Sequence, residues 1–129
     1  MTLEPGTLFA DRYEILAQAG RGGMGFVYRA RHLGLAKDVA LKILAPPSGG
    51  SSRGARDRTG DYAVRFAREA RAVARLDHPG CVRVLDHGRA DDDTPYIALE
   101  LVEGETLGTA LQAGRFDLDR AVDIARQLL

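Results

Sequence analysis

Three runs of β-forming residues near the start of the chain predict three strands in succession. Over residues 13–18, the apolar side chains of Tyr13, Ile15 and Ala17 recur at every second position, which is the period of a strand with one buried face. Residues 26–31 mix β-forming and charged side chains and precede a turn at Gly34, so they favour a second strand that folds back on the first. In the third run, residues 37–44, Lys42 stands among apolar neighbours.

A loop and a helix are predicted next. Residues 45–60 are rich in proline, glycine, serine and charged side chains, a composition that buries too little apolar surface to order itself, so we expect a flexible loop. Asp61 is placed to cap a helix that runs to about residue 76. One face of this helix carries four side chains at helical spacing: Phe66, Glu69, Val73 and Leu76.

Glu69 is the charged member of that face and requires a cation, because an ionised carboxylate among apolar side chains is costly when it is unpaired. Arg65 stands four residues before it on the same helix, a spacing that allows a local ion pair. Lys42 on the third strand is the alternative partner. The residues by themselves leave both pairings open.

Short elements are predicted in the second half of the chain. Residues 82–85 and 96–99 read as strands, and the polar residues 86–93 between them as a turn. Helices are predicted over residues 107–113 and from Asp117 onward. We expect residues from about 105 to be frayed or self-associating, because the last helix carries an unpaired apolar stripe. The stripe consists of Leu118, Ala121, Val122, Ala125, Leu128 and Leu129.

Composition narrows the class of protein. The 129 residues suffice for one modest domain, and 18 basic and 18 acidic side chains give a formal net charge of zero, so no global field favours nucleic acid as a partner. The single cysteine, Cys81, excludes an internal disulfide, and we expect it to fill space in the interior. We expect no membrane segment in this chain and a cytoplasmic location, because it has neither a signal peptide nor a long apolar run. The three histidines share no metal-ligand spacing, so no metal site is predicted.

The stretch from Gly20 to Gly25 carries the candidate chemistry. Its glycines at positions 20, 22 and 25 fit the spacing G-x-G-x-x-G, and glycine lets a backbone fold tightly over an anion and direct N–H groups at it. A ligand-free glycine-rich turn gives the same pattern. A dinucleotide fingerprint would open a helix and a Walker A loop would continue with Lys-Ser or Lys-Thr, whereas Phe26 and further β-forming residues follow here. The loop is therefore expected to cap a hairpin and cover a phosphate, with Lys42 beneath it.

Several motifs, in order, resemble the small lobe of a protein kinase, in particular of the bacterial eukaryotic-like serine/threonine kinases. They are residues 11–15, 20–28, 39–42, 66–69 with 76–79, and 96–104. The resemblance covers about residues 11–129. It implies an α+β fold with a five-stranded antiparallel sheet and one regulatory helix within residues 12–104, after a leader at 1–11. Residues 105–129 would begin a truncated large lobe.

The resemblance implies that ATP binds beneath the glycine loop. Lys42 would contact its α- and β-phosphates and pair with Glu69, and these two residues form the implied catalytic pair. The family usually has leucine at the position of Ala19, so alanine there reduces the apolar cover over the adenine. The full set of implied ATP contacts is Ala19, Gly20, Gly22, Gly23, Met24, Gly25, Val27, Ala40, Lys42, Leu99, Glu100 and Val102.

The adenine contacts follow from the same resemblance. Val27 and Ala40 would cover the base, and Leu99 would be the gatekeeper behind it. The backbone of Glu100 and Val102 would hydrogen-bond to the edge of the adenine.

The family's catalytic loop is absent from this sequence, since it contains no His-Arg-Asp, Asp-Phe-Gly or Ala-Pro-Glu. Phosphoryl transfer in kinases uses an aspartate that accepts the hydroxyl proton and an asparagine and a second aspartate that hold Mg²⁺. The Mg²⁺ ligands and the contacts with a protein substrate are therefore expected in the missing large lobe. The expected function is the ATP-binding portion of a serine/threonine protein kinase, inactive alone.

The sequence leaves two alternative functions open. The first is a stand-alone, non-catalytic module that binds nucleotide or regulates another kinase, with a dimer of small lobes as its partner arrangement. The second is a small-molecule phosphotransferase that shares the same lobe.

Overall fold

The structure, a computed structural model, describes residues 2–22, 25–44 and 55–129, and the side chains of all of these except residues 55–60. Its strands are β1 Leu8–Phe9, β2 Tyr13–Gly22, β3 Gly25–His32, β4 Lys37–Leu44, β5 Val84–Arg89 and β6 Pro95–Glu100, and its helices are α1 Ala55–Ala74, α2 Leu107–Gln112 and α3 Leu118–Leu128. The six strands form one sheet in the order β1-β2-β3-β4-β6-β5, with every neighbouring pair antiparallel.

All five predicted strands are present, and a sixth comes from the predicted leader. Residues Leu8 and Phe9 pair with Glu14 and Tyr13 as β1, because Phe9 buries its ring against the core. The strands β2, β3 and β4 follow one another through tight hairpins, as the alternation and the Gly34 turn predict.

The prediction of a turn over residues 86–93 is wrong for residues 86–89, since β5 extends to Arg89. His87 pairs with Ile97 and Gly88 with Tyr96. A Cβ atom at Gly88 would lie 3.2 Å from the hydroxyl oxygen of Tyr96, so the glycine makes room for a neighbouring ring. The turn lies later, where the N–H of Ala90 donates to the carbonyl of Thr94 at 2.9 Å.

Helix α1 begins at Ala55, six residues before the predicted cap at Asp61, so the predicted loop over 45–60 is wrong for residues 55–60. Alanine and arginine favour a helix there, whereas aspartate, threonine and glycine at positions 57, 59 and 60 do not. Residues 45–54 of the predicted loop lie outside the described residues. At its other end, Leu76 falls beyond the helix and is exposed.

Two apolar clusters hold the sheet and α1. The larger lies on one face of the curled sheet and contains Phe9, Tyr13, Ile15, Tyr28, Ala30, Val39, Leu41, Ile43, Tyr96 and Ala98. The smaller lies under α1 and contains Leu44, Phe66, Ala70 and Ile97. Phe66 and Ala70 are almost fully buried, so they fix how α1 is rotated against the sheet.

The C-terminal helices are locally well formed but bury nothing. Thr106 caps α2, and Asp117 caps α3 by accepting a hydrogen bond from the N–H of Arg120 at 2.8 Å. Neither helix contains a buried residue. Within the described residues, no helix combines the length and the apolar character that crossing a bilayer requires. Cys81 is exposed, so the expectation that it fills interior space is wrong.

Candidate functional site

One face of the sheet gathers predicted site residues that are far apart in sequence. Val27 on β3 lies directly opposite Lys42 on β4, and Ala40 on β4 lies directly opposite Leu99 on β6. Most of their strand neighbours, such as Tyr28, Val39 and Leu41, turn to the other face and are buried in the larger cluster. Val27, Ala40, Lys42 and Leu99 are each only half-buried. Together they form a continuous, partly open surface across three strands, which we call the open face.

Lys42 and Glu69 form an ion pair at the edge of the open face. The Nζ atom of Lys42 lies 3.1 Å from Oε1 of Glu69 and 5.9 Å from the centre of the Phe66 ring. Burial of Phe66 turns the next helical turn of α1 toward β4, which places Glu69 over the lysine. The described residues contain no ion pair between Arg65 and Glu69, so the geometry selects Lys42 from the two partners that the sequence left open.

The glycine loop joins β2 to β3 beside this pair. Gly22 lies opposite Gly25 and Gly20 opposite Val27, as a hairpin requires, whereas Gly23 and Met24 lie outside the described residues. A Cβ atom at Gly20 would meet no atom within 4 Å, and one at Gly22 would only touch the carbonyl oxygen of Gly25 at 4.0 Å. Packing against the described residues therefore does not require glycine at these two positions.

Of the remaining predicted contacts, two lie at the strand exit of β6 and one lies on β2. The N–H of Glu100 donates to the carbonyl of Arg83 at 2.9 Å, so this donor is already occupied. Val102 follows β6 and is 66% exposed. Ala19, on β2 across the sheet, is also exposed.

A group of four charged side chains beside the open face was not predicted. Asp38 accepts hydrogen bonds from Nε and Nη2 of Arg29 at 3.1 and 2.8 Å, and its other oxygen lies 2.6 Å from Nε of Arg31. Nη2 of Arg29 also lies 3.3 Å from Oε1 of Glu103. The sequence held a signal for part of this group, because a hairpin about Gly34 places Arg31 opposite Asp38.

These contacts move pKa values in the direction that favours charge. The hydrogen bonds from Arg29 hold the pKa of Asp38 below its ordinary value, against the opposing effect of burial. The hydrogen bond to Asp38, and then the charge of Glu103, raise the pKa of Arg29. The pKa shifts of Asp38 and Arg29 therefore both favour the charged forms of this pair at neutral pH.

Two concavities lie away from the open face. One of about 550 Å³ follows the outer side of α1 and is lined by Val64, Ala67, Arg68, Arg71, Ala72 and Arg75. The other, of about 130 Å³, lies between α1 and the β5–β6 hairpin. Lys42 lines neither of them.

Comparison with known proteins supports the resemblance. The family model described as protein kinase domain matches residues 13–129. The serine/threonine-protein kinase pkn3 of Myxococcus xanthus is 39% identical over 96% of this chain, and PrkC of Bacillus subtilis is 37% identical over 96%. The chain spans about a fifth of the length of these two curated relatives, 21% and 18% respectively.

Solved structures agree on the fold. The structure titled PpkA-294 apo form superposes with a TM-score of 0.76 and 31% identity, over 87% of this chain and 42% of that one. The PknI kinase domain of Mycobacterium tuberculosis superposes with a TM-score of 0.74 and 27% identity, over 98% of this chain and 48% of that one. The predicted α+β fold of a kinase small lobe is confirmed, and the chain belongs to the protein kinase family, where it groups with the bacterial serine/threonine kinases.

Proposed function

We propose that this chain is the ATP-binding portion of a serine/threonine protein kinase, which transfers the γ-phosphate of ATP to serine or threonine hydroxyls of proteins. The observation that carries the proposal is the Lys42–Glu69 ion pair, 3.1 Å long, at the edge of a half-buried apolar surface. A cation fixed beside an apolar surface suits a ligand that has a flat apolar base and a polyanionic tail.

The open face fits the adenine end of such a ligand. Val27 and Ala40 offer small apolar side chains on adjacent strands, and Leu99 closes the surface beside Ala40. The exposed backbone after β6, at Val102, would supply a hydrogen-bond donor to the base, and Glu100 would supply its carbonyl. Ala19 would cover the base from β2 with less apolar area than a longer side chain.

The phosphate end would lie under the glycine loop. Lys42 is half-buried and held by Glu69, so its ammonium group is positioned before any ligand arrives, which lowers the reorganisation needed on binding. Its charge would stabilise the negative charge of the phosphates, while Glu69 keeps the side chain from turning away. Backbone N–H groups at Gly20, Gly22, Gly23, Met24 and Gly25 would supply further donors.

The described residues fit magnesium less well than ATP. They gather no group of three or more histidine, cysteine, aspartate or glutamate side chains that could hold a metal ion. Nor does the sequence contain the aspartate-bearing motifs that accept a proton in kinases. We therefore assign nucleotide binding to this chain. Mg²⁺ binding, protein-substrate recognition and catalysis would require residues of the large lobe, which this sequence does not contain, so the chain is inactive alone.

Calorimetric titration of the 129-residue chain with a non-hydrolysable ATP analogue tests the proposal. Lys42→Met should weaken binding about tenfold or more, because it removes a charge-assisted contact with phosphate. Lys37→Met is the matched control, since Lys37 lies on the same strand but is exposed and remote from the open face, and it should leave the affinity unchanged. Absence of binding by the folded wild-type chain, or an equal loss in both variants, would overturn the assignment.

A further inference from the structure

The segment from Leu101 to Glu105, between β6 and α2, makes few contacts with the other described residues. Apart from half-buried Leu101, its residues are exposed, and Gly104 adopts a φ of +124° that favours glycine. No backbone hydrogen bond joins residues 101–105 to any other part of the chain that the structure describes. The proposed adenine donor at Val102 thus lies on a segment with little to hold it.

One polar contact does reach this segment. Glu103, directly after Val102, places Oε1 3.3 Å from Nη2 of Arg29. Among the described residues, this is the single ion pair or hydrogen bond that residues 101–105 make with the sheet. A single tether on an otherwise unsupported segment has more influence on its position than the same pair would have on a helix or strand.

Arg29 is well placed to act as an anchor. It lies on β3 opposite Ala40, at the border of the open face. Two of its nitrogens donate to Asp38, which also holds Arg31, so the guanidinium group is oriented before it meets Glu103. Since an oriented arginine loses little further side-chain entropy on pairing, the contact with Glu103 is more effective than that of a free surface arginine.

We propose that Arg29 is a positioning residue, and that its ion pair with Glu103 holds the Val102 segment in the geometry that receives the adenine edge. The effect on nucleotide affinity rests on the proposed function above, whereas the effect on the segment itself does not. The Arg29–Glu103 pair thereby becomes a determinant of affinity that is sensitive to ionic strength, because the two side chains are 43% and 74% exposed.

The first test needs no nucleotide. Nitrogen-15 relaxation of the 129-residue chain should show ordered amides at Val102 and Glu103, with order parameters near about 0.85 that fall toward about 0.6 in Glu103→Gln. Glu105→Gln is the control, since Glu105 is exposed and makes no ion pair within the described residues. Both variants should keep the wild-type melting temperature. Equal order parameters in wild type and Glu103→Gln would overturn the proposal.

The second test uses the non-hydrolysable ATP analogue. Glu103→Gln should bind it about two- to fivefold more weakly than wild type at low salt, Glu105→Gln should match wild type, and the ratio between wild type and Glu103→Gln should approach one at 1 M salt. A ratio that salt does not change would overturn the role of the ion pair in affinity. A wild-type chain that does not bind would refute the proposed function, while the relaxation result would still decide whether Arg29 positions the segment.

Discussion

Tyr13 and Asp86 join opposite ends of the curled sheet: the hydroxyl of Tyr13 on β2 donates to Oδ2 of Asp86 on β5 at 2.8 Å. Three strands separate β2 from β5 in the sheet, so this hydrogen bond closes the curl on itself. The same carboxylate oxygen accepts from Tyr96 at 3.3 Å and from Arg12 at 3.2 Å, and its other oxygen accepts from the N–H of His87 at 2.8 Å. Asp86 thus accepts four hydrogen bonds at the position where the curled sheet closes.

The environment of Asp86 favours its ionised form. Burial alone would raise its pKa, but the hydrogen bonds from Tyr13, from the backbone of His87 and from Tyr96 outweigh burial and hold the pKa below its ordinary value. Burial and the hydrogen bond to Asp86 raise the pKa of Tyr13. Tyr13 therefore stays a donor, and Asp86 stays an acceptor, throughout the neutral range.

Asp86→Asn should lower the free energy of unfolding at pH 7 by about 1–3 kcal/mol, because hydrogen bonds to a charged acceptor are replaced by weaker ones. Since the folded-state pKa of Asp86 is depressed, its contribution is complete above the ordinary aspartate pKa of about 3.9 and is lost as the pH falls through the folded-state value. Urea denaturation at pH 7 and at pH 3 measures both effects.

The control for this prediction is Asp91→Asn, at an exposed aspartate in the turn after β5. It should change the unfolding free energy little at either pH. A difference between wild type and Asp86→Asn that stays constant from pH 7 to pH 3 would show that the ionised carboxylate is not what stabilises the closure.

Glu69→Gln tests whether the ion pair acts through Lys42. The side chains of Lys42 and Glu69 are 23% and 41% exposed, so their pair should contribute less than about 1 kcal/mol to folding, and the melting temperature should change little. Nucleotide affinity should fall in Glu69→Gln, but adding Glu69→Gln to Lys42→Met should cause no further loss, because coupled residues are not additive. Calorimetry on the two single variants and the double variant gives the double-mutant cycle. Additive losses of affinity would contradict the proposal that Glu69 acts through Lys42.

Ala40→Leu tests whether the open face receives the base. Ala40 is half-buried between Arg29 and Leu99, and a leucine would occupy the space above the strand without entering either apolar cluster. We expect the unfolding free energy to change by about 1 kcal/mol or less and nucleotide binding to be lost. Ala72→Leu, on the exposed side of α1, is the matched control and should bind as wild type does. Normal binding by Ala40→Leu would show that the nucleotide lies elsewhere.

Much of the sheet could be predicted from the sequence because its signals are local. The alternation at residues 13–18 and the turn at Gly34 each specify a strand or a hairpin without reference to the rest of the chain. The Lys42–Glu69 pair was also within reach, since Glu69 shares a helix face with Phe66 and requires a cation. The choice between Lys42 and Arg65 was not within reach of local rules and came from the resemblance.

The sequence predictions are wrong or incomplete where the role of a residue depends on a contact with another strand or segment. Gly88 is typical of a turn in sequence terms. In the structure it lies within β5, where the ring of Tyr96 on the neighbouring strand occupies the space that a side chain would need. The ion pair between Arg29 and Glu103 joins residues far apart in sequence, and no periodic pattern in the sequence indicates such a pair. Roles that depend on a ligand, such as those of Val102 or Gly22, stay predictions.

Helix α3 should be among the least protected elements that the structure describes. Its local signals are favourable, with a cap at Asp117, Asp119 in the first turn and Arg126 in the last. An 11-residue helix is nevertheless marginal without packing, and Leu118 and Leu128 are 78% and 74% exposed. Amide hydrogens of α3 should therefore exchange much faster than those of β4, which lies between two strands and is largely buried.

Asp117→Ala tests whether α3 can be destabilised without a change in the stability of the sheet. Loss of the cap should destabilise α3 by about 0.5–2 kcal/mol and accelerate its exchange further, yet leave the unfolding transition of the sheet unchanged, because α3 contributes no buried residue. Exchange measured at several protein concentrations distinguishes fraying from self-association, since only self-association protects the apolar stripe as concentration rises. A monomer in which α3 is as protected as β4 would mean that the stripe is covered within the chain, contrary to the exposure of Leu118 and Leu128.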